Sequence, residues 1–321
     1  QRIFRIREAG SRQGFESVHD LLMKEMENID RALGEKRQVT GIETGFRELD
    51  LKTSGLQDGE LIVVAGRPSM GKTAFALNIA VHASLRHKLP VAVFSLEMSS
   101  ESLIQRLLCA EARISLQNLR RGALTPQERT RLTTALGPLG EAPIYIDDSP
   151  ALTALDIRAR ARRLRSEHRD LGLIIVDYLQ LMEVPSDRRR ERNRQQEVAD
   201  ISRSLKAMAK ELDVPVIAVS QLSREPEKRS DHRPQLSDLR ESGAIEQDAD
   251  LVLLLYRGEQ YFPEEESLRG RAEVIIAKQR NGPLGTVQLV FEGHCMRFDN
   301  PYLLAGPEPV PEEGYDVAEF V

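Results

Sequence analysis

The chain has 321 residues, of which 40% are hydrophobic and 30% charged, a composition typical of a soluble globular protein with one or two domains. The two cysteines form no disulfide framework, and the apolar runs are far shorter than the roughly 18 residues of a membrane helix, so we expect a cytoplasmic protein without membrane contact. The net charge of −5 excludes a strongly basic nucleic-acid binder, so any contact with a polyanion must come from local basic patches.

The first predicted element is an amphipathic helix over about residues 14–33, which lies within a linker over residues 1–40. From residue 61 onward, apolar strands alternate with helical stretches, which predicts a mostly parallel α/β sheet in a domain over residues 41–300. The predicted strands cover 61–65, 91–96, 144–146, 173–176, 216–220, 251–255, 272–277 and 287–291. The predicted helices lie near 71–87, 100–112, 126–136, 153–168 and 194–213.

The ends of this pattern differ from its middle. The last strands have no helix between them, which indicates an antiparallel edge of the sheet. Residues 301–321 carry five acids and no base and are rich in proline and glycine, so we expect a disordered acidic tail. In the helix predicted over 194–213, apolar residues share one face and Lys206 is expected away from that face.

A phosphate-binding loop is predicted between the first strand and the first helix of the domain. Gly66-Arg-Pro-Ser-Met-Gly71-Lys72-Thr73 matches the pattern G-x-x-x-x-G-K-[ST], with Ser69 inside it and Ala74 directly after it. Backbone N–H groups of such a loop surround phosphate oxygens at a helix N-terminus, where the helix dipole favours negative charge. The motif predicts a site for ATP or another nucleoside triphosphate, with Lys72 on the phosphates.

A Mg²⁺ site requires an acid beside this loop. Asp177 ends the apolar run 173–177, so we predict that Thr73 and Asp177 bind Mg²⁺. Asp147 and Asp148 also follow an apolar run, but that run is short and a Ser-Pro turn follows it.

Two polar residues at strand ends are candidates for the hydrolytic step, since strand C-termini face the ligand in open α/β sheets. We expect Glu97 to activate water; the alternative is that it only favours the N-terminus of the next helix. Gln221 is the candidate sensor of the γ-phosphate, with a simple loop hydrogen bond as its alternative.

Two arginine-rich segments are candidates for contact with a polyanion. Residues 186–194, which end at Arg194, hold five arginines and two acids, and residues 222–245 form a long polar stretch without predicted structure of its own. Either segment could follow a phosphate backbone, and either could be a solvated loop.

The ordered set of motifs resembles the DnaB family of bacterial replicative DNA helicases over about residues 14–300. The segments that carry this resemblance are 44–50, 66–73, 94–98, 176–182, 219–224, 238–250 and 277–282. The resemblance implies a RecA-like motor that works as a hexameric ring around single-stranded DNA, with primase and a helicase loader as partners. It also implies that the 14–33 helix packs on a neighbouring subunit.

The resemblance implies two further groups of site residues. Lys278 and Arg280 match the pair that reaches the γ-phosphate of the adjacent subunit, with Arg280 as arginine finger. Arg240, Glu241 and Gly243 match the loop that faces DNA. Two alternatives remain open at this point: a RecA-family recombination or repair ATPase, and a ring scaffold whose assembly is controlled by nucleotide.

Overall fold

The computed structural model describes residues 17–19, 22–23, 26, 39–182 and 194–301, with only the backbone of 194 and 240–242. The chain divides into two compact units, residues 1–40 and 41–321. In the first unit, the described positions 18, 19, 22, 23 and 26 are helical, and their side chains are exposed. The rest of the helix predicted over 14–33, the segment 183–193 and the tail from 302 lie outside the described residues.

The second unit is built on one nine-stranded sheet in the order β3-β2-β4-β5-β1-β6-β7-β8-β9. The first six strands in this order, from β3 through β1 to β6, are parallel to one another. Strands β7, β8 and β9 continue the sheet beyond β6 in antiparallel pairs. This arrangement confirms the predicted fold class. The strands are β1 (Leu61–Gly66), β2 (Val91–Ser95), β3 (Ile144–Asp147), β4 (Leu173–Asp177), β5 (Val216–Gln221), β6 (Leu251–Tyr256), β7 (Arg271–Gln279), β8 (Gly285–Glu292) and β9 (Arg297–Asp299).

The central strands are apolar without interruption because both faces of the sheet are covered. Alternate residues of one strand point to opposite faces, so Ile62 and Val64 pack with Phe75 in one core. Val63 packs with Leu205 in the core on the other face.

Eight α-helices of the described second unit surround the sheet, and the five predicted ones are confirmed. They are α1 (Arg47–Thr53), α2 (Lys72–His87), α3 (Ser100–Ala112), α4 (Leu116–Arg121), α5 (Pro126–Glu141), α6 (Ala154–Glu167), α7 (Arg194–Leu212) and α8 (Gly243–Asp248). Side-chain caps fix several starts: Ser99 accepts the Ser102 N–H before α3, and Thr125 and Thr153 form capping boxes before α5 and α6. No described helix is long and apolar enough to cross a membrane.

Lys206 of α7 has buried partners that the sequence pattern does not indicate. Its ammonium donates to the Gly59 carbonyl (2.8 Å) and pairs with Asp250, which is 6% exposed. The long apolar stem of the side chain lets the charged end reach from the helix to the start of β1. Asp250 also accepts the backbone N–H of Leu61 (2.8 Å), so this ion pair ties α7 to the beginning of β1 and β6.

The polar stretch 222–245 has structure of its own, contrary to the prediction. It contains 3-10 helices at Glu225–Lys228 and Leu236–Ser242, and α8 begins at its end. Buried Asp238 holds it together, because its carboxylate accepts two bonds from the Arg229 guanidinium and one from the Gln235 N–H (2.6, 2.7 and 2.7 Å). Two of the arginines considered for polyanion contact, Arg229 and Arg233, therefore already bind acids of the same chain.

Candidate active site

The glycine-rich loop joins β1 to α2 and turns sharply at its end. Gly71 is the N-cap of α2 with φ +91°, a conformation that residues with a Cβ rarely adopt. A Cβ at this position would also lie 2.9 Å from the Phe298 ring of β9. Glycine is therefore required at position 71 for two reasons, its positive φ and the close Phe298 ring. The N–H groups at the start of α2 form an anion-binding site.

Lys72 is the first residue of α2 and points back over the loop. Its ammonium donates to the Arg67 carbonyl (3.2 Å). Burial lowers the pKa of Lys72, whereas the negative charges of Asp177 and Glu97 act in the opposite direction. The lysine is thus a cation drawn toward two carboxylates in a poorly hydrated site.

Thr73 and Asp177 meet directly across the site. The threonine hydroxyl donates to Asp177 Oδ2 (2.7 Å), and Asp177, the last residue of β4, is only 3% exposed. Its other oxygen, Oδ1, has no hydrogen-bond partner among the described residues. Burial raises the pKa of this carboxyl, and Glu97 acts in the same direction. Asp147, the alternative acid, ends the sheet-edge strand β3 and pairs with Arg160 of α6 instead.

A cavity of about 610 Å³ collects most of the predicted residues at the carboxyl edge of the sheet. Those that line it are Ser69, Gly71, Lys72, Thr73, Ala74, Glu97, Asp177 and Gln221. Glu97 lies in the bend after β2, two residues before the cap of α3. Gly66 does not line the cavity. It is the last residue of β1, pairs with Gln221 of β5, and lies directly before the turn of the loop.

Two arginines in this cavity had no signal in the sequence. Arg106 of α3 lies near Asp177 and Glu97, and its buried Nε has no hydrogen-bond partner among the described residues. Arg257 donates to the Ser69 carbonyl (2.9 Å), and its guanidinium lies 3.9 Å from the centre of the Phe291 ring. Each residue lies far from the phosphate loop in sequence and reaches it only through the fold. No local motif could therefore indicate its role.

Lys278 and Arg280 lie together but do not line the cavity of their own chain. The Lys278 ammonium donates to the carbonyls of Glu246 (2.6 Å) and Ala249 (2.7 Å) at the end of α8, where the helix dipole favours a cation. Arg280 donates to the Gln247 carbonyl (2.8 Å) and pairs with Asp250 at 3.4 Å. This surface is separate from the phosphate loop.

The residues predicted to face DNA are described only in part. The side chains of Arg194, Arg240 and Glu241 lie outside the described part of the chain. Gly243 begins α8, is exposed, and has nothing within 4 Å of the position of a Cβ. The space on the Cβ side of Gly243 is therefore open among the described residues.

Comparison with known proteins decides the family. Residues 41–300 match the DnaB-like helicase C terminal domain. The chain belongs to this family. The resemblance that the sequence motifs carry is thereby confirmed, and use of a nucleotide goes with this family.

Named relatives of this DnaB-like domain are similar over most of its length. It is 54% identical over 286 residues to the replicative DNA helicase DnaB of Geobacillus stearothermophilus, covering 89% of this chain and 62% of the relative. It is 50% identical over 298 residues to the replicative DNA helicase DnaC of Bacillus subtilis, covering 93% and 65%. The chain thus spans less than two thirds of the length of these relatives.

Solved structures agree with this assignment. One solved ATPase domain has a TM-score of 0.83 and 40% identity, covering 89% of this chain and 99% of that one. A DnaB-like replicative helicase, described with its interactions with primase, has a TM-score of 0.80 and 38% identity, covering 93% and 70%.

Proposed function

We propose that this chain is the ATP-driven motor of a replicative DNA helicase, which moves along single-stranded DNA and unwinds duplex DNA. The observation that carries the proposal is one cavity that holds a phosphate loop, a buried Thr73–Asp177 pair and Glu97. The names of the relatives, replicative DNA helicases, support DNA as the polymer along which the motor moves. In this proposal residues 1–40 are the linker, 41–300 the motor and 301–321 an acidic tail, and the protein works in the cytoplasm.

The residues around Asp177 fit a bound Mg²⁺. A buried carboxylate with one unpaired oxygen is costly unless a cation or donor meets it. We infer that Thr73 and Asp177 hold the ion, which would neutralise charge on the nucleotide phosphates when bound.

The other residues of the cavity have separate roles in this proposal. The N–H groups at the start of α2 and the Lys72 ammonium bind the phosphates, and Arg106 adds a second cation near them. Glu97 orients the attacking water and accepts its proton, and Gln221 senses the γ-phosphate. ATP is the proposed nucleotide, and other nucleoside triphosphates present the same phosphates to these groups.

Assembly and partners follow from the family in the same way. We infer a homo-hexamer in which Lys278 and Arg280 serve the cavity of the neighbouring subunit, since they lie away from their own. Arg194, Arg240, Glu241 and Gly243 are the proposed DNA contacts. A primase and a helicase loader are the proposed protein partners.

The proposed function is tested by unwinding of a duplex with a single-stranded tail. We expect strand separation that requires ATP and Mg²⁺, proceeds from one tail polarity only, and is lost in Lys72→Ala. ATPase stimulation by single-stranded DNA without unwinding would favour a recombination-type ATPase. Tight nucleotide binding with turnover near zero would favour a scaffold. Mass measurement with nucleotide and DNA reports the number of subunits.

Contact of Arg240 with the DNA backbone predicts a salt effect. Arg240→Ala should weaken binding of single-stranded DNA and lower the slope of log affinity against log salt by roughly 0.7 for one lost phosphate contact. The loss should be similar for different base sequences, because a backbone contact carries no base code. Arg163→Ala, which removes an exposed arginine of α6, is the matched control. A normal affinity and slope in the Arg240 variant would make this a solvated loop.

A further inference from the structure

Two histidines and a glutamate meet at the end of α2 opposite the phosphate loop. His82 lies in the last part of α2, His87 is its last residue, and Glu43 is the third residue of the 41–321 unit. Their three ligand atoms, two imidazole nitrogens and one carboxylate oxygen, all lie within 4.8 Å of one another. Neither the nucleotide site nor the Lys278 surface includes these residues.

The two separations from the carboxylate are close to those of ligands around a metal ion. Glu43 Oε2 lies 3.3 Å from His87 Nε2 and 3.7 Å from His82 Nε2. Metal bonds of about 2.0–2.1 Å place two ligands of a tetrahedral zinc roughly 3.3 Å apart, whereas a good N–H···O bond is about 2.9 Å long. His82 Nε2 is buried and has no hydrogen-bond partner among the described residues, although it points toward the carboxylate.

The backbone beside two of these ligands, Glu43 and His82, is tightly constrained. Gly45, with φ +86°, lies so close to the His82 ring that a Cβ there would be 2.7 Å from Nδ1. The absence of a Cβ at Gly45 therefore leaves the space that the His82 ring occupies. The Asp50 carboxylate in turn accepts the N–H of Thr44 (2.8 Å) and of Gly45 (3.2 Å), so the turn that follows Glu43 is held rigidly.

We propose that Glu43, His82 and His87 form a binding site for a zinc-type divalent transition metal. Two imidazoles and one carboxylate suit such ions, whereas Mg²⁺ prefers oxygen ligands. The side chains of the three residues are 27–46% exposed, which leaves a fourth position to water. The metal would tie the segment that precedes α1 to the C-terminal end of the phosphate-loop helix.

A second group of potential ligands, Glu292, His294 and Cys295, does not offer the same arrangement. Arg113 pairs with Glu292 at 2.8 Å. Burial raises the pKa of the Cys295 thiol to about 12, and the nearby Glu292 acts in the same direction. A thiol must lose its proton to bind a metal, so this group is disfavoured.

The test is calorimetric titration of the metal-stripped chain with Zn²⁺, without nucleotide or Mg²⁺. We expect one site, with affinity reduced about tenfold or more in His87→Ala and in Glu43→Gln, because even supporting residues around a metal cost about 10- to 100-fold. Zn²⁺ at about 100 times the parent's Kd should raise the thermal midpoint of the parent by several degrees and that of each variant by clearly less, in proportion to its weaker affinity. Co²⁺ in the same site should give the visible absorption of a four-coordinate ion.

The controls separate this site from loose metal binding. His168→Ala removes a histidine that packs on Tyr145 elsewhere, and Cys295→Ser removes the thiol of the second group; both should bind Zn²⁺ like the parent. Circular dichroism of His87→Ala and Glu43→Gln establishes that they are folded. Absence of Zn²⁺ binding in the parent, or equal affinity in the parent and in both ligand variants, would overturn the proposal. The assay uses no nucleotide, so its failure leaves the helicase proposal intact.

Discussion

Glu97→Gln is expected to bind ATP nearly as well as the parent and to lose hydrolysis by about 10² or more. Glu97 lines the same cavity as Lys72 and Asp177, and its charge affects the pKa of both. Glutamine keeps the size and hydrogen-bonding reach of the side chain but cannot accept the proton of the attacking water. Steady-state ATP hydrolysis with Mg²⁺ and single-stranded DNA measures the loss, and binding of a fluorescent nucleotide measures affinity.

Two further variants distinguish chemistry from binding. Lys72→Ala should weaken nucleotide binding itself, because it removes the ammonium that meets the phosphates. Glu101→Gln, in the first turn of α3, removes an exposed carboxylate of the same segment that does not line the cavity, and it should leave hydrolysis unchanged. Near-normal hydrolysis in Glu97→Gln would remove Glu97 from the catalytic residues and leave it a residue that favours the start of α3.

The strands could be predicted from sequence because the central sheet is covered on both faces. Burial on both sides requires uninterrupted apolar runs such as that of β6, and these runs stand out in any sequence. β9 gives no such signal because it has only three residues, of which Phe298 alone is buried. The structure of 222–245 could not be predicted because one buried acid, Asp238, organises it, and no periodic pattern indicates such a residue.

The site divides in the same way. The phosphate loop could be predicted directly, because one contiguous turn with fixed glycine positions supplies the groups that bind phosphate. Arg106 and Arg257 enter the cavity from elements that the fold alone brings to the loop. The position of Lys206 depends on Asp250, a partner 44 residues away that helical periodicity does not reveal.

Arg280→Ala is expected to reduce ATP hydrolysis by about 10³–10⁵, the effect of an arginine finger in well-studied NTPases. Arg280 does not line the cavity of its own chain, which supports the proposal that its guanidinium serves the γ-phosphate of another subunit. Release of the side chain breaks its bond to the Gln247 carbonyl and its 3.4 Å pair with Asp250, and because the side chain is 46% exposed, water can replace both partners. Arg271→Ala, at the exposed opposite end of β7, is the matched control and should hydrolyse ATP normally.

Action across subunits makes the defect complementable. Lys72→Ala and Arg280→Ala assemblies should each be nearly inactive, because one lacks the phosphate ligand and the other the finger. After subunit exchange, some interfaces pair an intact loop with an intact Arg280, so ATPase should reappear and peak near equal amounts of the two proteins. If exchange is established and the mixture stays inactive, Arg280 serves its own subunit or every site must work in sequence. Normal hydrolysis by Arg280→Ala alone would end the finger assignment, because hydrolysis would then not require the Arg280 guanidinium from any subunit.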